Sequence, residues 1–196
     1  MSKNRKQELI KLAYELFMKE GHDNVSVDEI IAKANIAKGT FYYYFKSKEE
    51  MLGQVVEDMT KRKVAAAEKY IDEPVPIEEK FISIITSLTK KDNKTIEALN
   101  NDNNLKMRAK YSEQIVTDAV SLLKKVVTEG NKKAIFHCNH VEERIKMILI
   151  LSDKLFKDKN YTVKDVEVYI DIVEKTLGAK KGIMNFAKSI LGGIDA

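Results

Sequence analysis

Lys38-Gly39-Thr40-Phe41-Tyr42-Tyr43-Tyr44-Phe45 is the stretch whose reading decides the fold. Wound as a helix at about 100° per residue, it puts Phe41, Tyr44 and Phe45 on one face. Gly39, Tyr43 and Lys46 fall opposite, with Lys38, Thr40 and Tyr42 on the flanks. One face is an aromatic anchor for a core. The other offers hydroxyls, ammonium groups and a glycine that lets backbone come close to a partner. Lysine neutralises phosphate, Thr and Tyr hydroxyls bond phosphate or base edges, and an aromatic edge can touch a thymine methyl.

Working outward, Ser26-x-x-Glu29 reads as a capping box before a short apolar stripe of Val27, Ile30, Ile31 and Ala34. Asn35 then suits a tight left-handed turn. Upstream, Leu9, Ile10, Ala13, Leu16 and Phe17 recur at helical spacing over residues 5–20, and Gly21 ends the helix. Downstream, Ser47-x-x-Glu50 opens a long helix through Met51, Leu52, Val55, Val56 and Met59, which runs to Ile71 and halts before Pro74 and Pro76. A helix, a turn of three or four residues and a second short helix have the spacing of a helix-turn-helix.

Beyond the prolines the apolar spacing predicts longer helices. Ile77, Phe81, Ile84, Ile85 and Leu88 mark one. Ile96 and Leu99 mark a weaker one that fades into Asn100-Asn101-Asp102-Asn103-Asn104. A long helix spans 105–129 with Tyr111, Ile115, Ala119, Leu122 and Val126 on one side, and Gly130 follows its end. Helices over 141–157 and 162–191 complete the chain, the last kinked near Gly178 and Gly182. No alternating strand pattern and no repeat occurs. The expectation is an all-α chain: a three-helix domain over 1–46, then a larger helical domain over 47–196 in which 47–71 is the connecting helix.

Composition agrees. The 196 residues carry 34 Lys+Arg against 30 Asp+Glu, and 44% are hydrophobic, too many for disorder. The longest apolar run, Met147 to Leu151, is far too short to span a bilayer, and the basic start leads into a charged amphipathic segment rather than an apolar signal core. Cys138 is the one cysteine, as in a reducing cytoplasm. Charge is placed unevenly: residues 1–48 hold nine bases against six acids, and from Lys33 to Lys48 there are four lysines and no acid. A cytoplasmic protein that contacts double-stranded DNA, and no membrane, is expected.

Gly21, Ser26-Val27, Ile30, Ala34 and the run from Lys38 to Leu52, with its G-T-F-Y-x-Y-F-x-S-K-E core, resemble the TetR family of bacterial transcriptional repressors over about residues 5–55. The resemblance implies an N-terminal helix-turn-helix domain, a ligand-binding and dimerisation domain, and repression of a palindromic operator relieved by a small-molecule effector. It carries Lys38, Gly39, Thr40, Tyr42 and Tyr43 over as the groove-facing set. Ser26 and Lys48, each at a helix start, carry over as phosphate contacts, and Lys46 joins them from its place on the polar face. The chain departs from the pattern at Ile31, where alanine is preferred, at Asn35, in place of a turn glycine, and at Ala37, in place of a serine cap worth about 0.5–2 kcal/mol.

One short helix contacts few bases, so a homodimer reading two half-sites about 34–36 Å apart is expected. The resemblance places the dimer on the last two helices, with Ile145, Ile148, Leu149, Tyr169, Ile170, Val173 and Leu177 as interface candidates. Phe81, Leu88, Met107, Tyr111 and Phe156 are candidates for lining an effector pocket. Phe136-His137-Cys138-Asn139-His140 has donor atoms but no second cluster to complete a metal site, so neither metal nor cofactor is expected. No phosphate-binding glycine loop, G-x-S-x-G or H-E-x-x-H occurs, which argues against an enzyme. Two alternatives stand: an activating or architectural DNA-binding member of the family, and a helical protein-interaction adaptor of the same fold. An adaptor would have no reason to keep the basic, acid-free stretch.

Overall fold

The computed structural model describes residues 3–89, 93–156 and 160–192, and among them there is no strand. The helices are α1 (Lys3–Glu20), α2 (Val27–Ala34), α3 (Lys38–Tyr44), α4 (Lys48–Glu68), α5 (Ile77–Thr89), α6 (Asn93–Asn100), α7 (Leu105–Lys132), α8 (Val141–Phe156), α9 (Val163–Leu177) and α10 (Ala187–Gly192). Single 3₁₀ turns lie at His22–Asn24, Lys69–Ile71 and Asp102–Asn104. The all-α class is as the periodicity predicts. Among the described residues no helix is long and apolar enough to cross a membrane.

The chain forms two compact units. The first is Met1–Lys61 with Lys91–Gln114, the second Arg62–Lys90 with Ile115–Ala196. This division differs from the boundary at 46/47 expected from sequence. Residues up to Lys61 join the N-terminal helices because Met51, Leu52, Val55 and Val56 of α4 are buried in the same core as Leu9, Ala13, Phe17, Ile30, Phe41 and Phe45. Helices α4 and α7 each contribute residues to both units.

In the first unit the local signals act as read. Ser26 Oγ accepts the Glu29 N–H at 3.1 Å and caps α2. Asn35 closes α2 at φ 48°, the left-handed conformation that Asn tolerates. Ala37 precedes α3 with no side-chain cap, so the bond a serine would supply is absent. Ser47 Oγ accepts the Glu50 N–H at 3.1 Å, and Glu50 Oε2 accepts the Lys46 N–H at 2.8 Å, which starts α4. Gly21 has φ 87°, and a Cβ there would lie 2.5 Å from the Asn103 Cβ, so conformation and space both require glycine.

In the second unit two boundaries differ from the sequence reading. Gly130 lies inside α7 rather than after it. The Phe136 ring occupies the notch it leaves, and a Cβ at Gly130 would stand 2.2 Å from Phe136 Cδ2. Residues 162–191 do not form one kinked helix. The Thr162–Asp165 capping box starts α9, and Gly178 ends it at φ 63°. The turn that follows is tied to α9 by buried Glu174, whose carboxylate oxygens accept the N–H groups of Gly182 at 2.8 Å and Met184 at 2.7 Å. Lys157, the expected end of the 141–157 helix, and the side chain of Ile96 lie outside the described residues.

Candidate nucleic-acid interface

Helix α3 is held from behind by Phe41 and Phe45, both fully buried, each worth about 1.5–3 kcal/mol of transfer free energy. Their rings lie 5.7 Å apart. Lys6 Nζ sits over the Phe45 ring, 5.5 Å from its centroid. Tyr44 is half-buried, and its hydroxyl is buried without a hydrogen-bond partner. The opposite face is open: Tyr42 is 49% and Tyr43 68% exposed, and Gly39 and Lys46 are exposed. A Cβ on Gly39 would have nothing within 4 Å, and Gly39 is not among the positive-φ residues. Nothing inside the first unit demands glycine there. Thr40 is half-buried beside this surface.

The lysines show what sequence could not. Lys33 Nζ lies 3.1 Å from Glu20 Oε1 and 2.9 Å from Glu29 Oε1, contacts that raise its pKa and lower that of Glu29. Lys38 Nζ lies 3.4 Å from Asp28 Oδ1. Lys48 Nζ donates to the carbonyls of His22 and Val25, each at 2.9 Å, and ties the start of α4 to the α1–α2 turn. Two of the ammonium protons expected to meet phosphate at Lys48 are therefore committed internally. The run that is free of acids in sequence is compensated in space by Glu20, Asp28 and Glu29. A basic stretch consequently no longer discriminates a DNA reader from an adaptor; Gly39 and the exposed tyrosines do. Ser26 is exposed, and with its oxygen accepting from Glu29 its O–H remains a donor.

Buried Asn104 joins three segments of the first unit. Its Nδ2 donates to the carbonyls of Phe17 and Ala98, each at 2.9 Å, and its Oδ1 accepts the His22 N–H at 2.7 Å. The His22 ring is buried against Phe17 with centroids 5.0 Å apart. Its Nδ1 is 2.9 Å from Asp23 Oδ1, and its Nε2 has no partner. Burial lowers the imidazole pKa, outweighing the Asp23 hydrogen bond. The sequence reading assigns neither residue a role: the Asn-rich run 100–104 enters only as the stretch into which a weak helix fades.

The interface candidates of the last helices need correction. Ile145, Ile148, Leu149, Tyr169, Ile170, Val173 and Leu177 are all buried within the second unit. They face its own core, where Tyr169 Oη and Ser152 Oγ are 2.5 Å apart and desolvation pushes the Tyr169 phenol up to about 12. Besides Val163 at the start of α9, the exposed large apolar side chains of these helices are Met147 and Ile150 on α8 and Val168 and Ile172 on α9. Turning each helix by its period shows why: these four lie away from the buried stripes. The pocket candidates divide between the units. Met107 and Tyr111 are buried in the first, whereas Phe81 and Leu88 are buried and Phe156 half-buried in the second. A cavity of about 440 Å³ in the second unit is lined instead by Glu167, Ile170, Asp171, Glu174, Lys181, Gly182, Asn185 and Lys188.

In the stretch 136–140, Cys138 is buried and bonded to Asn131 through its backbone, and His137 Nδ1 is 3.2 Å from the Gly178 carbonyl. Among the described residues no group of three or more His, Cys, Asp and Glu could hold a metal.

Residues 9–55 match the family described as bacterial regulatory proteins, tetR family. The transposon Tn10 TetC protein of Escherichia coli is 41% identical over 59 residues, covering 26% of this chain and 30% of that one. The matched regions span 30–41% of the length of the first curated relatives. Among solved structures, RolR in complex with resorcinol superposes with a TM-score of 0.68 at 19% identity, covering 95% of this chain and 92% of RolR. FadR from Bacillus subtilis in complex with stearoyl-CoA does so with a TM-score of 0.59 at 24% identity, covering 87% and 97%. The all-α fold is thus shared over 87–95% of the chain, and the sequence likeness is concentrated in the N-terminal helices.

Proposed function

Residues 9–55 belong to the TetR family of bacterial regulatory proteins, and from that premise we propose that the chain is a homodimeric, sequence-specific DNA-binding repressor released from a palindromic operator by a small molecule. One observation carries the reading. Helix α3 spends its aromatic anchor inward and leaves Gly39, Tyr42, Tyr43 and Lys46 uncovered in the first unit. Two tyrosines on a short helix beside an open glycine suit a major groove, where hydroxyls reach phosphates and base edges while the peptide backbone closes on the duplex. Lys38 and Thr40 flank that surface, and Ser26 and Lys48 sit at the helix starts where a phosphate would meet free N–H groups.

The dimer uses the outward faces of α8 and α9, with Met147, Ile150, Val168 and Ile172 replacing the buried residues first expected. The effector is a small, mainly apolar molecule held within the second unit, among the helices that carry Phe81, Leu88 and Phe156. Two relatives in fold were crystallised with resorcinol and with stearoyl-CoA, which supports an aromatic or acyl compound. Release requires the effector to bind the form with weak DNA affinity better. Taking a 1:99 balance to 99:1 needs about a 10⁴-fold preference. Because α4 and α7 supply residues to both units, they are the covalent routes for that change.

The test is binding of the purified protein to the DNA upstream of its own gene, followed by fluorescence anisotropy over a range of salt. Tight, salt-dependent binding that weakens at least tenfold in Tyr42→Ala is expected, and Ile172→Glu should dissociate the dimer and weaken binding with it. Equal affinity of wild type and Tyr42→Ala for upstream and unrelated DNA would refute the proposal.

A further inference from the structure

We propose that the Asp28–Lys38 pair reads one G·C base pair in each half-site, with Asp28 accepting from the cytosine N4 amino group and Lys38 donating to guanine O6 and N7. The inference rests on the DNA-binding function proposed above and assigns a base to two of its side chains. Lys38 is the first residue of α3 and Asp28 the second of α2, so the pair bridges the two helices of the reading motif. Both side chains stand in solvent, 65% and 79% exposed, with Nζ and Oδ1 3.4 Å apart.

The fold has little use for this pair. An exposed ion pair at that distance adds little stability. An acid in the first turn of α2 suits the helix dipole, but Glu29 already serves there. On a DNA-facing surface an unsatisfied carboxylate is worse than neutral, because phosphate repels it and non-specific binding runs almost wholly on phosphate contacts. Asp28 becomes an asset only where a donor meets it. In the major groove the donors are exocyclic amino groups, and beside each one in the same pair lies an acceptor.

Spacing makes the match. Cytosine N4 and guanine O6 hydrogen-bond to each other, so they lie about 2.9 Å apart. Asp28 Oδ1 and Lys38 Nζ, 3.4 Å apart, present the complementary acceptor and donor side by side. An A·T pair also shows an amino group next to a carbonyl. It gives the ammonium one acceptor where guanine gives two, and it sets the thymine methyl against a charged pair. The same geometry serves specificity from the other side. Away from the right base pair, Asp28 keeps Lys38 occupied and discourages phosphate, so non-specific affinity stays low.

The experiment selects binding sites from duplexes with randomised half-sites using the full-length protein. Anisotropy is then measured on the selected operator and on each of its single-pair variants, for wild type, Asp28→Ala and Lys38→Met. Wild type should show a G·C position in each half-site where change to A·T costs about tenfold or more. Both variants should flatten that position to within about threefold and leave the other positions unchanged. Asp28→Ala should also bind unrelated DNA more tightly, with a salt slope steeper by about one per released lysine. A melting curve within a few degrees of wild type shows that the exposed substitution leaves the fold intact. Undiminished G·C preference in Asp28→Ala, or loss of preference at an A·T position instead, overturns the assignment while leaving DNA binding standing. Wild type that selects no sequence at all overturns the function on which it rests.

Discussion

Gly39→Ala should make the protein more stable and a worse DNA binder. Glycine in a helix costs roughly 0.5–1 kcal/mol relative to alanine, because the unfolded chain has more freedom to lose. A methyl group at residue 39 would meet nothing within 4 Å, and Gly39 has no positive φ to strain. Position 39 is the second residue of α3, so the gain falls at the lower end, about 0.5 kcal/mol. For a chain of this length that raises Tm by roughly 1–2 °C. In the complex the same methyl stands where backbone and duplex close, and affinity for the operator should fall at least tenfold. Gly53, equally open on α4, is the internal comparison. Gly53→Ala should raise Tm by a similar or larger amount and leave affinity unchanged. The assays are differential scanning fluorimetry and anisotropy on one operator duplex. If Gly39→Ala binds as tightly as wild type, the glycine is not there for a partner, and the assignment of this face to DNA is refuted.

Three further outcomes follow from the described contacts. Lys33→Gln should leave operator affinity within about twofold and the salt slope unchanged, because Glu20 and Glu29 already hold that ammonium, whereas Lys46→Gln should weaken binding and lower the slope by about one. Gly130→Ala should destabilise the chain by about 1–3 kcal/mol in a denaturant titration, since the new methyl would occupy the Phe136 ring position; a neutral result would mean the ring moves freely. His22 has a folded-state pKa below its ordinary 6.5, so the native state favours the neutral ring. The stability this contributes is complete above pH 6.5 and is lost as pH falls through the lowered value, at no more than about 1.4 kcal/mol per pH unit. Tm measured from pH 7.5 to 5.5 should drop more steeply in wild type than in His22→Phe, and parallel curves would exclude His22 as the cause.

The N-terminal helices were readable because each start and stop there is local chemistry: Ser26 and Ser47 cap, Asn35 takes the left-handed turn, and the aromatic phase of α3 separates anchor from front. What escaped was decided by partners distant in sequence. Lys33 has Glu29 four residues away on its own helix, but Glu20, its second partner, and the His22 and Val25 carbonyls that hold Lys48 come from elsewhere in the chain. Gly130 looked like a terminator because nothing nearby in the chain announces that Phe136 will fill its notch. On α8 and α9 the apolar residues cover more than one face, and composition alone does not separate the stripe turned to the core from Met147, Ile150, Val168 and Ile172. Asn104 was invisible for the same reason, since its three partners lie at Phe17, His22 and Ala98.

That asparagine has a consequence for how the protein is born and how it can be cut. A ribosome delivers residues 1–61 well before residue 104, at about 5–20 residues per second. For several seconds the nascent N-terminal helices lack the amide that pins their first bend. They are therefore completed late, by a strut encoded some eighty residues downstream of the bend it secures. A fragment that stops after α4, or a chimera that borrows only the opening helices, would leave the His22 N–H and the Phe17 carbonyl with no amide to meet them. Anyone transplanting these opening helices must carry the strut along with them.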